Sequence, residues 1–105
     1  MSSLKEREEG FERKFAHDEE LKFKIISRRN KLLGLWAAGL LGKDDAEAYA
    51  REVVLEDFKE AGHEDVFRKV KADLDAAGVS VSDEEIRTKM MELLKVATDQ
   101  LNPPT

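Results

Sequence analysis

The chain has 105 residues, of which 39% are charged, and a formal net charge of −5 at pH 7. Its length allows one domain with a modest core, and the absence of cysteine excludes disulfide scaffolds, thiolate metal sites and thiol enzymes. No apolar run reaches the ~20 residues of a membrane-spanning helix, and the charged N-terminus differs from secretory and organelle-targeting signals. We therefore expect a cytoplasmic protein that does not insert into the membrane.

Residues 1–17 are predicted to form a flexible, charged tail. The segment contains Gly10 and is too polar to hold a helix alone in water. Leu4, Phe11 and Phe15 would share one face of a helix, but three apolar side chains cannot offset an ordering cost of ~1–2 kcal/mol per residue. A groove on a partner protein would supply the missing apolar contacts. These residues therefore indicate a binding role.

The first predicted helix, about residues 18–41, is the longest. Gly34 and Gly39 lie inside it, and each costs about 1 kcal/mol relative to alanine in a helix interior. Either they let a neighbouring helix approach closely, or they loosen this half of the helix. We expect Trp36 to be largely buried. The apolar stripe predicted at helical spacing comprises Leu21, Ile25, Leu32, Leu33, Trp36 and Leu40.

Positive charge lines one side of this helix. Lys24, Arg28 and Lys31 recur at i, i+4 and i+7, and we name these three residues the basic ridge. Lys22 and Arg29 project close to the centre of the apolar face, where they would extend to solvent, pair with an acid or meet an anionic ligand. We expect the basic ridge to be exposed, and Arg29 to be partly buried and paired with an acid. The ridge and Arg29 together are also a candidate site for weak binding of ATP or ADP.

Three shorter helices are predicted at about 44–61, 64–77 and 83–101. No sheet is expected, because no segment alternates apolar and polar residues over the length of a strand. Short links between the helices predict that neighbours in sequence pack antiparallel. The predicted inward-facing residues are Ala46, Ala50, Val53, Val54 and Phe58 on the second helix, Val66, Phe67, Val70 and Leu74 on the third, and Ile86, Met90, Leu93, Leu94, Ala97 and Leu101 on the fourth.

Helix ends are marked by caps and glycines. Capping-box patterns begin the second helix with Asp44 as the cap and the fourth with Ser82. The first, second and third helices are predicted to end at Gly42, Gly62 and Gly78. The sequence therefore predicts an all-α fold, a four-helix bundle over residues 18–101 with a disordered N-terminal tail and disordered residues 102–105.

The sequence carries no recognisable catalytic motif. Gly34 and Gly39 have the spacing of a phosphate-binding loop, but no Gly-Lys pair completes it and no strand precedes it. His17 and His63 are isolated, and the paired carboxylates lie at helix starts or on polar faces, where caps and solvation account for them. We therefore expect no catalytic residue, no metal and no cofactor.

Charge is unevenly distributed along the chain. Residues 1–20 hold four basic and seven acidic residues, for a net charge of −3. Residues 21–43 hold six basic residues and no acid, and residues 44–105 hold eight basic and sixteen acidic residues, for net charges of +6 and −8. One basic helix on an acidic protein differs from the broadly basic face of nucleic-acid-binding proteins, so we expect no nucleic-acid partner.

The most specific signal is the stretch over residues 11–38, FERKFAHDEELKFKIISRRNKLLGLWAA. No common fold imposes a string such as RRN-x-LLGLWAA. The stretch strongly resembles the zeta-subunit family of ATPase inhibitors from alpha-proteobacterial F-type ATP synthases. Later matches to this family are Ala48-Tyr49-Ala50, Asp57-Phe58, Glu60-Ala61-Gly62 and Glu64-Asp65-Val66-Phe67-Arg68-Lys69-Val70.

That resemblance implies a four-helix bundle whose mobile N-terminal segment enters the catalytic head of the F-type ATP synthase and blocks rotation in the direction of ATP hydrolysis. The chain would be a non-enzymatic inhibitor that associates peripherally with the membrane-bound enzyme. Two alternatives stay open, a regulatory nucleotide-binding module and a structural adaptor with an inert tail. The partner-binding residues implied in the tail are Leu4, Phe11, Arg13, Lys14, Phe15, His17 and Asp18.

Overall fold

A computed structural model of the protein describes residues 4–58 and 63–102, with side chains for 19–58 and 64–102. Within these residues the chain forms four helices and no strand, which confirms the predicted all-α, four-helix fold. The helices are α1 (Leu4–Leu41), α2 (Ala46–Glu56), α3 (His63–Ala76) and α4 (Asp83–Leu101).

The helix bounds follow the predictions most closely in the C-terminal half. α3 and α4 begin and end within one residue of the predicted positions, whereas α2 ends at Glu56, short of the predicted end at residue 61. The N-cap of α2 is Asp45, whose side chain accepts a hydrogen bond from the amide of Ala48, and not Asp44. Ser82 caps α4 as predicted by accepting from the amide of Glu85 at 3.1 Å.

The first helix begins earlier than predicted. It starts at Leu4 and not near Asp18, because the intervening sequence contains no proline and its apolar residues continue the helical phase of the stripe that follows. Residues 1–3 and the side chains of residues 4–18 lie outside the described residues, so the predicted flexibility of residues 1–17 is not tested. That tail and its boundary with the bundle therefore stay predictions.

The core lies where α1 meets the other three helices. α1 contacts α2 most extensively, α4 next and α3 least. α3 contributes all four of its predicted inward residues to the core, as its strong apolar periodicity indicates. The buried residues of the core cluster are Leu33, Ala37, Ala38, Tyr49, Val53, Val66, Phe67, Val70, Leu74, Ile86 and Met90.

Three residues predicted to face inward are instead exposed: Phe58, Leu40 and Leu94. Phe58 lies beyond the last turn of α2, so the helical phase that would direct it inward has ended. Leu40 and Leu94 lie at the edges of their stripes, where Ala37 and Ala97 take the buried positions. Trp36 is partly buried and packs against the core, less completely than predicted.

Polar contacts fix α3 against α4. Arg87 of α4 donates two hydrogen bonds to the carboxylate of Glu64 at 3.0 and 3.1 Å, and its guanidinium lies 4.1 Å from the ring centroid of Phe67.

Gly78 ends the turn after α3 with a φ of 73°, as predicted, a backbone conformation that favours glycine. Among the described residues, no helix combines the length and apolar character needed to cross a bilayer.

Candidate partner-binding site

The residues that the family resemblance implies for partner binding belong to the N-terminal half of α1. Their backbone is helical from Leu4 onward, but their side chains lie outside the described residues. Their role therefore stays a prediction. These residues are Leu4, Phe11, Arg13, Lys14, Phe15, His17 and Asp18.

The basic ridge is exposed along its whole length, as predicted. The ammonium group of Lys24 lies 3.7 Å from a carboxylate oxygen of Glu20, and that of Lys31 lies 3.7 Å from a carboxylate oxygen of Glu47. In both pairs the two side chains are about half or more exposed, and such surface pairs contribute only about 0.2–1 kcal/mol. Both cations therefore remain available to another anionic group.

The middle cation of the ridge connects α1 to α4. Arg28 Nη1 donates a hydrogen bond to Gln100 Oε1 at 3.2 Å. Because Gln100 is neutral, this contact positions the guanidinium without neutralising its charge. Lys22 is exposed, in agreement with the first alternative considered for it, a long side chain that extends to solvent.

Arg29 is buried more completely than predicted, with 3% of its surface exposed. Its Nε donates to Asn30 Oδ1 at 2.8 Å. Burial lowers the pKa of the Arg29 guanidinium, while the carboxylate of Asp57 at the end of α2 acts in the opposite direction. Arg29 therefore points into the bundle, and the structure does not bring it together with the three exposed cations of the ridge.

Asn30 is a buried polar residue that the sequence patterns above did not indicate. Its side chain is fully buried, and its Nδ2 has no hydrogen-bond partner among the described residues. The available signal was helical spacing, since Asn30 lies four residues after Ile26 and three before Leu33, on the apolar face of α1. Because its Oδ1 accepts from Arg29, Asn30 holds the buried guanidinium in place.

Beside the basic ridge lies a groove of about 420 Å³ between three helices. Its apolar part is formed by Phe23 of α1, Val54 of α2 and Leu101 of α4. Phe23 is 51% exposed, and its ring meets that of Phe58 with centroids 5.8 Å apart. We name this feature the basic-rimmed groove; its lining residues are Phe23, Lys24, Ser27, Arg28, Lys31, Val54 and Leu101.

Two other hollows differ from it in that they include acidic residues. One of about 280 Å³ adjoins the groove through Lys31 and Val54 and includes Glu47 together with Arg51. The other, of about 430 Å³, lies beside Trp36 and is lined by Glu84, Glu85 and Glu92. Among the described residues, no group of three His, Cys, Asp or Glu side chains is placed to hold a metal ion.

Comparison with curated proteins gives no match to this chain. Comparison with protein-family models gives a match to the family described as ATPase inhibitor subunit zeta, over residues 1–100. The match covers the N-terminal segment and all four helices. The chain therefore belongs to the ATPase inhibitor subunit zeta family.

Proposed function

We propose that this protein is a non-enzymatic inhibitor that inserts its N-terminal segment into the catalytic head of the F-type ATP synthase and blocks rotation in the hydrolysis direction. The observation that carries the proposal is the family match over residues 1–100, which includes that segment. It is supported by the length of α1, since 38 residues at about 1.5 Å each extend about 57 Å. α1 thus has a length close to the longest dimension of the molecule, which is 65 Å, whereas the other two dimensions are 30 and 26 Å.

The proposed mechanism is steric. Leu4, Phe11 and Phe15 would each contribute roughly 1.5–3 kcal/mol if fully buried in the interface. Part of that free energy offsets the conformational entropy lost when the segment is ordered. The interspersed charges would set the register and the direction of entry. The bundle would remain outside the head as a stop, and the chain itself would not consume ATP.

The test is ATP hydrolysis by the isolated catalytic head, with intact protein or protein lacking residues 1–17 added in increasing amounts. Intact protein is expected to inhibit, and the truncated protein is expected to lose nearly all inhibition while keeping its melting temperature. Equal inhibition by both forms would place the active element in the bundle. No inhibition by either form, with binding retained, would favour a structural adaptor.

A further inference from the structure

None of the residues that line the basic-rimmed groove belongs to the core cluster of the described residues. We infer that this groove is a second docking surface, and that its occupant is an acidic amphipathic helix of the ATPase catalytic head. This inference rests on the proposed function for the identity of the partner. It adds a contact made by the bundle, separate from the contact made by residues 1–17.

The bundle leaves an apolar surface uncovered beside the basic ridge. Phe23 and Phe58 are 51% and 60% exposed although their rings touch, and neighbouring Leu55 is 59% exposed. Val54 and Leu101 are half-buried and continue this apolar surface into the groove. A contiguous exposed apolar patch with a polar rim marks a binding site. The cleft between helices suits the apolar face of a partner helix.

The charge of the groove is complementary to that of an acidic partner. Among the described residues, the groove is lined by the three cations of the basic ridge and by no acid. The chain as a whole is acidic, with a net charge of −5, and both of the other hollows carry glutamates. On a chain whose net charge is negative, this groove without an acid in its lining attracts an acidic partner, which favours one orientation of docking.

The cations of the basic ridge can exchange their present contacts for contacts with a partner. The ion pairs of Lys24 with Glu20 and of Lys31 with Glu47 are long, at 3.7 Å, and exposed. Arg28 is bonded to a neutral amide, and its planar guanidinium can bind an incoming carboxylate through two hydrogen bonds. Because the three cations recur over two turns of α1, they match carboxylates that recur along one side of a partner helix.

A nucleotide fits the same surface less well. The groove lies along the middle of α1 and not at its N-terminus. The backbone N–H groups there already donate hydrogen bonds within the helix. Phosphate sites usually draw on the free N–H groups of a helix N-terminus. The fourth cation of the stretch, Arg29, is buried. A protein segment therefore fits the groove better than a nucleotide, because its apolar side chains can cover the apolar lining.

The experiment measures binding to, and inhibition of, the isolated catalytic head by full-length variants. Lys24→Glu combined with Arg28→Glu reverses the rim, and Phe23→Ser removes the exposed aromatic. Matched controls on α4 are Lys95→Glu, an exposed cation outside the groove, and Met91→Ser, an apolar residue that is 74% exposed. Circular dichroism melts verify folding, and Lys24→Gln with Arg28→Gln replaces the reversal if that variant does not fold.

The rim reversal and Phe23→Ser are each expected to raise the concentration for half-maximal inhibition at least tenfold, with maximal inhibition unchanged because residues 1–17 are intact. Raising the salt concentration should weaken binding of the wild type more than binding of the reversal. The two control variants should match the wild type.

Wild-type inhibition with no difference between groove and control variants overturns the docking surface and leaves the proposed function standing. If the wild type binds the head without inhibiting it, and the groove variants lose that binding, the docking surface is supported and the proposed inhibitory function is overturned. Tighter binding by the rim reversal would indicate a basic partner and overturn the inference. The inference would also be overturned if ATP alone shifts the NMR signals of the basic ridge and competes with the head for binding. If the wild type does not bind the head, both proposals fall.

Discussion

Gly34 of α1 lies directly against Ala50 of α2: a Cβ atom at position 34 would stand 2.6 Å from the Cα of Ala50. A side chain there would also meet the Cβ of Ala50 at 3.1 Å and that of Val53 at 3.3 Å. Gly34 therefore serves the close approach of two helices, the first of the two roles considered for it. Gly39 is different, because a Cβ atom at position 39 would have no heavy atom of the described residues within 4 Å.

Gly34→Ala is expected to destabilise the protein by about 1–3 kcal/mol, since the obstacle is backbone and the two helices must move apart. Gly39→Ala is the matched control. It is expected to stabilise the protein by about 0.5–1 kcal/mol, because alanine loses less backbone entropy and meets nothing. Urea unfolding of the two variants measures both changes. Equal effects of the two substitutions would contradict the close contact of α1 with α2.

Arg29→Ala is expected to lower the free energy of unfolding by about 2–3 kcal/mol, because it leaves the buried Asn30 Oδ1 without its donor and Asp57 without the opposing charge. Arg28→Ala, one residue earlier and exposed, should change it by no more than about 0.5 kcal/mol. Thermal melts compare the pair. An unchanged melting temperature in Arg29→Ala, together with lost partner binding, would assign Arg29 a binding role instead.

Tyr49→Phe is expected to destabilise the protein by about 1–2 kcal/mol at pH 7. The Tyr49 hydroxyl is buried and donates to Asp73 Oδ2 at 2.8 Å, and burial, followed by this hydrogen bond, raises the pKa of Tyr49 well above its usual value of 10.0. Lys69 Nζ, at 3.1 Å from the same oxygen, keeps Asp73 partnered in the variant.

The same tyrosine makes the stability depend on pH in the alkaline range. Because its pKa is higher in the folded than in the unfolded state, its contribution is complete below about pH 10 and is lost as the pH rises further. The difference in unfolding free energy between wild type and Tyr49→Phe should therefore be constant from pH 7 to 9 and shrink by about 1.4 kcal/mol per pH unit above 10. Guanidinium unfolding at pH 8, 10 and 11 measures it; parallel curves would refute the assignment.

Phe11→Ala combined with Phe15→Ala is expected to weaken inhibition of ATP hydrolysis at least tenfold and to leave the melting temperature nearly unchanged. The two phenylalanines would supply much of the apolar area that the N-terminal segment buries in the catalytic head. The measurement is the concentration for half-maximal inhibition of the isolated head. Arg13→Ala, between the two phenylalanines, serves for comparison. If it weakens inhibition as much as the double variant does, charged contacts and not apolar ones supply most of the binding free energy.

Local patterns in the sequence were sufficient for much of the architecture. α3 and α4 could be predicted almost to the residue, because apolar periodicity, the Ser82 cap and Gly78 act over one or two turns of helix. The exposure of the basic ridge followed from helical spacing alone. Phe58 was wrongly predicted to face inward, because its orientation depends on where α2 ends. The residues at the C-terminus of that helix give no strong local signal for its end.

What the sequence by itself determined is the class of fold, the helices that carry strong periodicity, the exposed ridge and, through the stretch over residues 11–38, the family. Only the tertiary structure decided that Gly34 meets Ala50, that Arg29 is buried near the carboxylate of Asp57, and that Phe23, Val54 and Leu101 share one groove. The physical reason is range. Helical spacing and caps act between residues a few positions apart, whereas these contacts join residues from different helices, and no short-range pattern specifies which surfaces will meet when the helices pack.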